Sequence, residues 1–307
     1  MNNKEKLSQL YQEAVVNING VITRAEDAKV SIFDRGFLYG DSIYEVTYSD
    51  DKSILFFDEH LDRLYHSASI LNMHFFIDRE MIIAETIKTL KHSGMGRAYI
   101  RIIVTRGETH ITLDPNSTIK NNLIIICKPQ PHFDDLIYQK GIKLSLIEIT
   151  VNEIQGPDSH AKSGNYLNNV MAMNEAIKLG SDDAIMINKK GFITEGTTFN
   201  VWMVKDGILY TPPISSGILK GITREKVLDI CGDHKIHLIK EPISPDHINQ
   251  ADEIFITSST KGIMPVSHLD GRCLGNNIED WPITKRITQL YREVVIKNKE
   301  SKEYFYG

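Results

Sequence analysis

An interruption of the apolar pattern near the middle of the chain limits the folds open to this sequence. The stretch KPQPHFDDLIYQKG, at 128–141, combines two prolines with several charged side chains, and such residues stop helices and strands. Apolar runs and amphipathic segments lie on both sides of it. Because a chain of 307 residues is long for one hydrophobic core, we expect a small domain at 1–130, a linker at 131–136 and a larger domain at 137–307.

The first half alternates strand and helix signals. The run AVVNINGVIT predicts a hairpin, since Asn19-Gly20 is a strong turn signal between two apolar strands. SIYEVTY predicts a further strand. Asp58 is expected to cap a helix with one apolar face, and a second helix is expected over 79–93. AYIRIIVTRG and NLIIICKP then return to strand.

The second half repeats the mixture in a different order. It opens with the strand IKLSLIEITV and continues into a meander with glycine turns at Gly191 and Gly207. A helix is expected after Gly221, a strand near 236–240, the strand EIFIT, and a terminal helix from about residue 282. Because both halves combine helices with sheet, the predicted fold class is α+β.

Composition narrows the class of protein. Hydrophobic residues at 41% and charged residues at 24% are typical of a soluble globular protein, and a net charge of −5 gives no electrostatic reason to expect nucleic acid or a membrane surface. The cysteines at 127, 231 and 273 lack CxxC spacing, so no disulfide framework or metal site is expected. The first residues, MNNKEKLSQLYQEA, have no signal-peptide core, which favours a cytoplasmic location.

One lysine stands where a polar loop gives way to a predicted helix. In HAKSGNYLNNVMAMNEA, at 160–176, Lys162 precedes a helical pattern that begins near Asn165 and ends near Gly180. A solvated surface lysine is the ordinary interpretation of such a residue. A chemical role requires partners elsewhere in the chain.

Two candidate partners follow in the second half. Glu195 lies in TEGTTFN inside the meander, between an apolar run and a glycine, where the ordinary interpretation is a turn residue. At Gly221-Ile222-Thr223 a helix opens. Backbone amides, a hydroxyl and the helix dipole form an anion site at such a start, although a threonine N-cap explains the same pattern.

Two further signals complete the set. Ser258, Ser259 and Thr260 follow the apolar strand EIFIT and offer hydroxyls, or form a simple polar turn. Arg63 lies beside the apolar stripe of its helix, and the alternative is a surface arginine whose stem covers apolar neighbours.

The order and spacing of these motifs resemble one family. An arginine on an early helix, YIR, a lysine before NYLNN, EGTxxN, GIT and a late SST loop resemble the class IV, or fold-type IV, aminotransferases, from Val15 to about Ile287. These enzymes use pyridoxal 5′-phosphate (PLP). The resemblance implies a small α/β domain, a larger β-barrel-like α/β domain, and an active site that lies between the domains of a homodimer.

The resemblance also assigns residues to the cofactor. Lys162 would attach PLP covalently and, once freed, carry a proton. Glu195 would pair with the pyridine nitrogen, Tyr166 would donate to the 3-oxygen, and Leu219 would lie under the ring. The phosphate would be bound by Arg63, Ile222, Thr223 and Ser259.

The substrate motifs are mixed. Tyr99 and Arg101 match the YxR pattern of branched-chain aminotransferases, whereas the SST loop is more like D-amino-acid aminotransferases and aminodeoxychorismate lyases. Phe37 replaces the tyrosine that D-specific enzymes carry after DRG, and their RxH pair is missing after TRG. We therefore expect a branched-chain L-amino acid with 2-oxoglutarate as acceptor. The expected substrate contacts are Tyr39, Tyr44, Tyr99, Arg101 and Thr260.

Three alternatives stay open: a D-amino-acid or (R)-amine transaminase, a lyase of the same fold, and a non-catalytic PLP-binding module. The first two would use the same lysine, so the cofactor residues do not separate them. The intact set of catalytic positions favours an enzyme over the binding module.

Overall fold

The computed structural model describes residues 2–130, 134–148 and 161–307, and these form two compact units. The first unit contains 2–130 together with 161–165 and 297–307. The second contains 134–148 and 166–296. Two short segments that follow the predicted linker in sequence therefore belong to the first unit, and one of them carries Lys162.

The first unit contains a sheet and four helices among its described residues. Its elements are α1 (Asn3–Glu13), β1 (Val15–Ile18), β2 (Val21–Arg24), α2 (Arg35–Tyr39), β3 (Ser42–Asp50), β4 (Ser53–Ile54), α3 (Phe57–Ile70), α4 (Arg79–Ser93), β5 (Ala98–Thr105) and β6 (Asn122–Pro129).

The six strands of this unit pair in the order β2-β1-β6-β5-β3-β4, and every neighbouring pair is antiparallel. The predicted hairpin is confirmed, because β1 and β2 pair directly around Asn19 and Gly20, whose φ values are 52° and 87°. The predicted helix at 79–93 is confirmed as α4. Apolar side chains of α3, α4, β3 and β5 form the core, including Ile43, Leu61, Leu64, Ile82, Leu90 and Ile100.

The start of α3 differs from the prediction. The helix begins at Phe57 with Phe56 as its N-cap, so the expectation that Asp58 caps it is wrong. The Asp58 carboxylate instead accepts a hydrogen bond from the Tyr304 hydroxyl at 2.6 Å and forms an ion pair with Arg79. Partners that are distant in sequence outcompete the helix amides for this carboxylate.

The second unit is built around a larger sheet. Its elements are α5 (Asp135–Lys140), β7 (Ile142–Glu148), α6 (Leu167–Lys178), β8 (Asp183–Ile187), β9 (Ile193–Gly196), β10 (Asn200–Lys205), β11 (Ile208–Thr211), α7 (Ile222–Asp233), β12 (Leu238–Lys240), α8 (Pro245–Ile248), β13 (Glu253–Ser258), β14 (Gly262–Leu269), β15 (Arg272–Cys273) and α9 (Pro282–Ser301), whose end from Lys297 belongs to the first unit.

The described strands of this unit pair in the order β12-β11-β10-β13-β14-β7-β8-β9, with β15 beside β14. β9, at one end of this order, lies against β10, so the sheet curls on itself. Its interior is filled by apolar side chains, including Leu144, Ile185, Val201, Ile254 and Val266. The curled sheet confirms the predicted α+β class with a barrel-like second domain, and the meander and the terminal helix from residue 282 are also confirmed.

Candidate active site

The backbone around Lys162 is fixed against β3 and α3 inside the first unit. The Tyr44 amide donates to the Lys162 carbonyl at 2.9 Å, and Ile43 forms a β-bridge with Ser163. The Lys162 amide donates to the Ser67 hydroxyl at 3.0 Å. The helix that follows begins at Leu167 rather than near Asn165. Lys162 is therefore held by a sheet edge and a helix, which is more than a surface lysine requires.

A glycine makes this close approach possible. A Cβ atom at Gly164 would lie 2.3 Å from the Ser42 hydroxyl oxygen and 3.3 Å from the Gly40 carbonyl oxygen, so a larger residue would force Ser42 to move. The Gly164 amide also donates to the Ser42 carbonyl at 2.8 Å. The glycine of the KSGN motif thus allows the lysine segment to lie directly against the first residues of β3.

The Tyr44 ring is shared by two cations. The Lys162 Nζ atom lies 4.6 Å from the ring centroid, and the Arg101 Cζ atom lies 4.1 Å from it. Arg101 also donates to the Tyr99 hydroxyl at 3.4 Å. β5 pairs Arg101 with Val46 of β3, two residues from Tyr44, so these side chains share one face of the sheet. The structure therefore brings Lys162 together with three of the predicted substrate residues.

Tyr39, another predicted substrate residue, ends α2 and is half-buried. Its ring lies 5.2 Å from the Arg35 Cζ atom. Arg35 itself is buried and donates to Asp41 at 2.8 Å, which fixes the position of α2 and therefore of Tyr39.

Arg63 belongs to a buried network that sequence reasoning missed. Its Nε and Nη2 atoms each donate to the Glu45 carboxylate at 2.7 Å, and the His60 Nδ1 atom lies 2.7 Å from the same carboxylate. All three side chains are buried. Ser67 links this network to the lysine segment, since its hydroxyl donates to the Arg63 carbonyl at 2.8 Å and accepts from the Lys162 amide.

The charges of this network are set by burial and pairing. Burial acts to raise the pKa of Glu45, but the charge and hydrogen bonds of Arg63, followed by those of His60, outweigh it and hold the pKa at about 2. Burial lowers the pKa of His60 in spite of its hydrogen bond with Glu45. Glu45 is thus an anion that fixes the orientation of the Arg63 guanidinium beside a neutral histidine.

In the second unit, Glu195 is held by two donors. The Leu219 amide donates to its Oε2 atom at 2.9 Å, and the Asn200 side-chain amide donates to the same atom at 3.2 Å. The buried guanidinium of Arg224 also interacts electrostatically with Glu195. Glu195 is therefore more than a turn residue, because its carboxylate is oriented by two neighbouring segments. Sequence reasoning identified Glu195 and Leu219 but missed Asn200, the last residue of TEGTTFN.

The start of α7 has the composition of an anion site. Its N-cap is Gly221, and Ile222 and Thr223 lie in its first turn, so the interpretation of Thr223 as an N-cap is wrong. Thr223 is buried in this turn, and Tyr291 of α9 is also buried, which raises the pKa of its hydroxyl to about 12. Because the N-terminus of a helix carries positive partial charge and Arg224 follows directly, this turn is suited to an anionic group.

The late polar loop follows β13, which ends at Ser258. Ser259 and Thr260 are half-buried. The Lys261 amide donates to the Ser258 hydroxyl at 3.2 Å, and the Lys261 carbonyl accepts from the Tyr138 hydroxyl at 2.9 Å. Tyr166 is half-buried at the N-cap of α6. The loop after β13 is thus held by hydrogen bonds at Ser258 and Lys261, and it carries the hydroxyls of Ser259 and Thr260.

Each unit, taken by itself, contains groups of the kinds that bind parts of PLP. The second unit supplies an oriented carboxylate for a pyridine nitrogen and a helix start with a threonine hydroxyl for a phosphate. The first unit supplies a lysine amine and an oriented guanidinium. Within the described ranges, no group of three or more His, Cys, Asp or Glu residues could hold a metal ion. No helix among the described residues is long and apolar enough to cross a membrane.

Known proteins similar to this chain are aminotransferases. The profile of the family described as "Amino-transferase class IV" matches residues 42–269. A protein of Methanocaldococcus jannaschii named "Putative branched-chain-amino-acid aminotransferase" is 36% identical over 92% of this chain and 96% of its own length. A D-alanine aminotransferase of Staphylococcus epidermidis is 31% identical over 91% of this chain and 97% of its own.

The solved structures give the same result. The crystal structure of the Escherichia coli branched-chain amino acid aminotransferase matches with a TM-score of 0.85 at 27% identity, over 95% of this chain and 98% of its own. The fold and the profile match together define a fold-type IV enzyme. The chain belongs to the class IV aminotransferase family, whose members use PLP.

Proposed function

We propose that this protein is a PLP-dependent transaminase that transfers the amino group of a branched-chain L-amino acid to 2-oxoglutarate. The observation that carries the proposal is the cluster around Tyr44. It places the amine of Lys162 and the guanidinium of Arg101 against the same ring, so an attachment lysine lies beside the residues expected to contact substrate.

The cofactor contacts are part of this proposal. Lys162 would hold PLP covalently, Glu195 would pair with the pyridine nitrogen, Tyr166 would donate to the 3-oxygen, and Leu219 would lie under the ring. Arg63, Ile222, Thr223 and Ser259 would bind the phosphate. The orientation of Arg63 by Glu45 and of Glu195 by the Leu219 amide supports these assignments, because fixed charges bind a ligand without losing side-chain entropy on binding.

When bound, PLP supplies an electron sink for the bond that breaks at the substrate Cα atom. Lys162, once released from the cofactor, would take a proton from that Cα atom and deliver it to the C4′ atom of PLP. Glu195 would keep a proton on the pyridine nitrogen, which maintains the sink. Tyr39, Tyr44, Tyr99, Arg101 and Thr260 would contact the substrate.

The choice of substrate rests on the YxR pair and on the relatives. Arg101 donates to Tyr99 and contacts Tyr44, so its guanidinium has an aromatic face and a hydroxyl as neighbours. An arginine in such surroundings can turn toward the distal carboxylate of glutamate and away from an apolar side chain. The relative of highest identity reported above is named as a branched-chain enzyme, which agrees with this choice.

A D-amino-acid transaminase is the second candidate. It is favoured by the SST loop and by the 31% identity to a D-alanine aminotransferase over nearly the full length of both chains. Phe37, in place of the expected tyrosine, argues against it.

Stereospecific half-reactions test the proposal. PLP-loaded protein is mixed with L-leucine, L-isoleucine, L-valine, L-glutamate, D-alanine or D-glutamate, and the change in the visible absorbance of the cofactor is followed. We expect rapid change with the L-amino acids and little with the D-amino acids. Rapid change with D-alanine and none with L-leucine would reverse the order of the two candidates. Release of pyruvate from a chorismate-derived substrate, without transamination, would indicate a lyase.

We also propose that the protein forms a homodimer. Among the described residues of the first unit, five large apolar side chains are more than two-thirds exposed: Val21 at 68%, Phe37 at 72%, Ile111 at 71%, Leu113 at 77% and Ile119 at 88%. Exposed apolar groups of this size favour burial against another surface. Analytical ultracentrifugation should give twice the chain mass of 34.9 kDa, and a sedimenting monomer at micromolar concentration would contradict the proposal.

A further inference from the structure

We propose that Asn200 is a positioning residue. Its side-chain amide holds the Glu195 carboxylate in a fixed position relative to Leu219, in the loop that leads into α7. This inference rests on the proposed function, since it concerns the contact of Glu195 with the pyridine nitrogen of PLP. It adds a residue that makes no proposed contact with cofactor or substrate and acts through Glu195.

The Asn200 side-chain amide bonds two groups on neighbouring segments. Its Nδ2 atom donates to Glu195 Oε2 at 3.2 Å and to the Leu219 carbonyl at 2.9 Å. The Leu219 amide donates to the same Glu195 oxygen at 2.9 Å. One side chain therefore closes a ring of hydrogen bonds in which the carboxylate and both polar groups of the Leu219 backbone take part.

The position of Asn200 is itself fixed. Asn200 is 4% exposed, and its backbone pairs in β10 with Thr257 of β13. Its Oδ1 atom packs against the α7 N-cap, since a Cβ atom on Gly221 would lie 2.0 Å from it. The strand pairing fixes the backbone, and the contact with Gly221 together with the two hydrogen bonds holds the amide in one orientation.

The chemistry requires an amide at this place. A neutral NH2 group has two donors, which suits one carboxylate and one carbonyl, whereas an aspartate would put a second negative charge beside Glu195. An oriented anion binds a protonated pyridine nitrogen without reorganising, and such preorganisation is the main source of electrostatic stabilisation in enzymes. Loss of the amide should therefore lower the protonation of the nitrogen while the other cofactor contacts remain.

Asn200→Ala tests this through a signal that does not depend on turnover. The ¹⁵N chemical shift of the pyridine nitrogen, measured with ¹⁵N-labelled PLP, reports whether that nitrogen is protonated. We expect a protonated nitrogen in the wild type at pH 7.5 and a shift toward the unprotonated value in Asn200→Ala. If the alanine variant does not fold, Asn200→Ser is used instead. A serine side chain is too short to bond Glu195 and Leu219 as the Asn200 amide does, so the expected shift is the same.

Asn188→Ala is the matched control. Asn188 also lies in the second unit, and its side-chain amide also donates to a backbone carbonyl of the segment before α7, that of Ser216 at 3.2 Å. Its Oδ1 atom accepts from the amides of Lys190 and Phe192, so this side chain bonds its own turn and the segment before α7. We expect Asn188→Ala to lower the melting temperature as Asn200→Ala does, but to leave the ¹⁵N shift unchanged.

A double-mutant cycle shows whether Asn200 acts through Glu195. Asn200→Ala should lower turnover roughly tenfold in the wild type, which corresponds to one hydrogen bond to a charged group, and less than about twofold when Glu195 is already glutamine. A protonated nitrogen in Asn200→Ala, or equal losses in both backgrounds, would overturn the inference. Failure of the wild type to bind PLP would instead overturn the proposed function.

Discussion

Replacing Glu45 with glutamine tests the buried network of the first unit. The change keeps the size of the side chain but removes the negative charge that faces Arg63 and His60. A buried cation that loses its carboxylate is strongly destabilising, because the remaining charge is no longer compensated. We expect the first unit to lose much of its stability at pH 7.

The magnitude follows from the pKa of Glu45. Its value falls from 4.5 to about 2 in the folded protein, and a difference of this size corresponds to about 3 kcal/mol of stabilisation. Because the folded pKa is below that of the unfolded chain, this contribution is complete above about pH 5 and is lost as the pH falls toward 2. The variant lacks it at every pH, so the stabilities of wild type and variant should converge in acid.

Urea unfolding followed by far-UV circular dichroism provides the measurement. A loss of about 3 kcal/mol should lower the midpoint by about 1–2 M at pH 7. Both tryptophans, Trp202 and Trp281, lie in the second unit, so their fluorescence reports that unit separately. Asp27→Asn is the control, since its pair with Arg24 is exposed and its loss should leave the midpoint unchanged. A variant of Glu45 with the wild-type midpoint at pH 7, or no convergence in acid, would refute the reasoning.

Three further substitutions give sharp expectations. Glu195→Gln should reduce turnover on the order of a hundredfold and PLP affinity much less, because a neutral amide cannot pair with a protonated nitrogen; near-normal turnover would return Glu195 to the role of a turn residue. Arg101→Ala should slow the glutamate half-reaction more than the leucine half-reaction in stopped-flow absorbance, and equal effects would remove Arg101 from carboxylate binding. Thr223→Val removes the hydroxyl from the first turn of α7 and should weaken PLP binding severalfold while leaving the binding of pyridoxal, which lacks the phosphate, unchanged; equal weakening of both ligands would mean that Thr223 acts only through packing.

Local rules predicted much of the fold. The hairpin around Asn19-Gly20, the helix at 79–93 and the terminal helix from residue 282 depend on turn chemistry and periodicity within a short window, and each is confirmed. The start of α3 was not predictable in this way. Asp58 looks like a cap in sequence, but its carboxylate binds Tyr304, which lies 246 positions away.

In the candidate site, too, residues whose partners are distant in sequence were not predicted. Lys162 and Glu195 could be selected because their motifs resemble those of one family. Glu45 could not be selected, and Asn200 was not singled out, since an ionisable residue in a strand and an asparagine at the end of a meander turn have ordinary local explanations. Their importance comes from partners on other elements, Arg63 in one case and Leu219 in the other. The signal that could have found Asn200 is its place at the end of EGTxxN, the motif that contains Glu195.

Covalent mapping of the cofactor tests the central claim most directly. Purified protein supplied with PLP should be yellow, and borohydride reduction followed by peptide mapping should locate the stable adduct on Lys162. Lys162→Ala should bind PLP only weakly, through the phosphate contacts, and should lose transamination. An adduct on another lysine, or none after PLP is supplied, would contradict the assignment of this chain as a PLP-dependent transaminase that acts through Lys162.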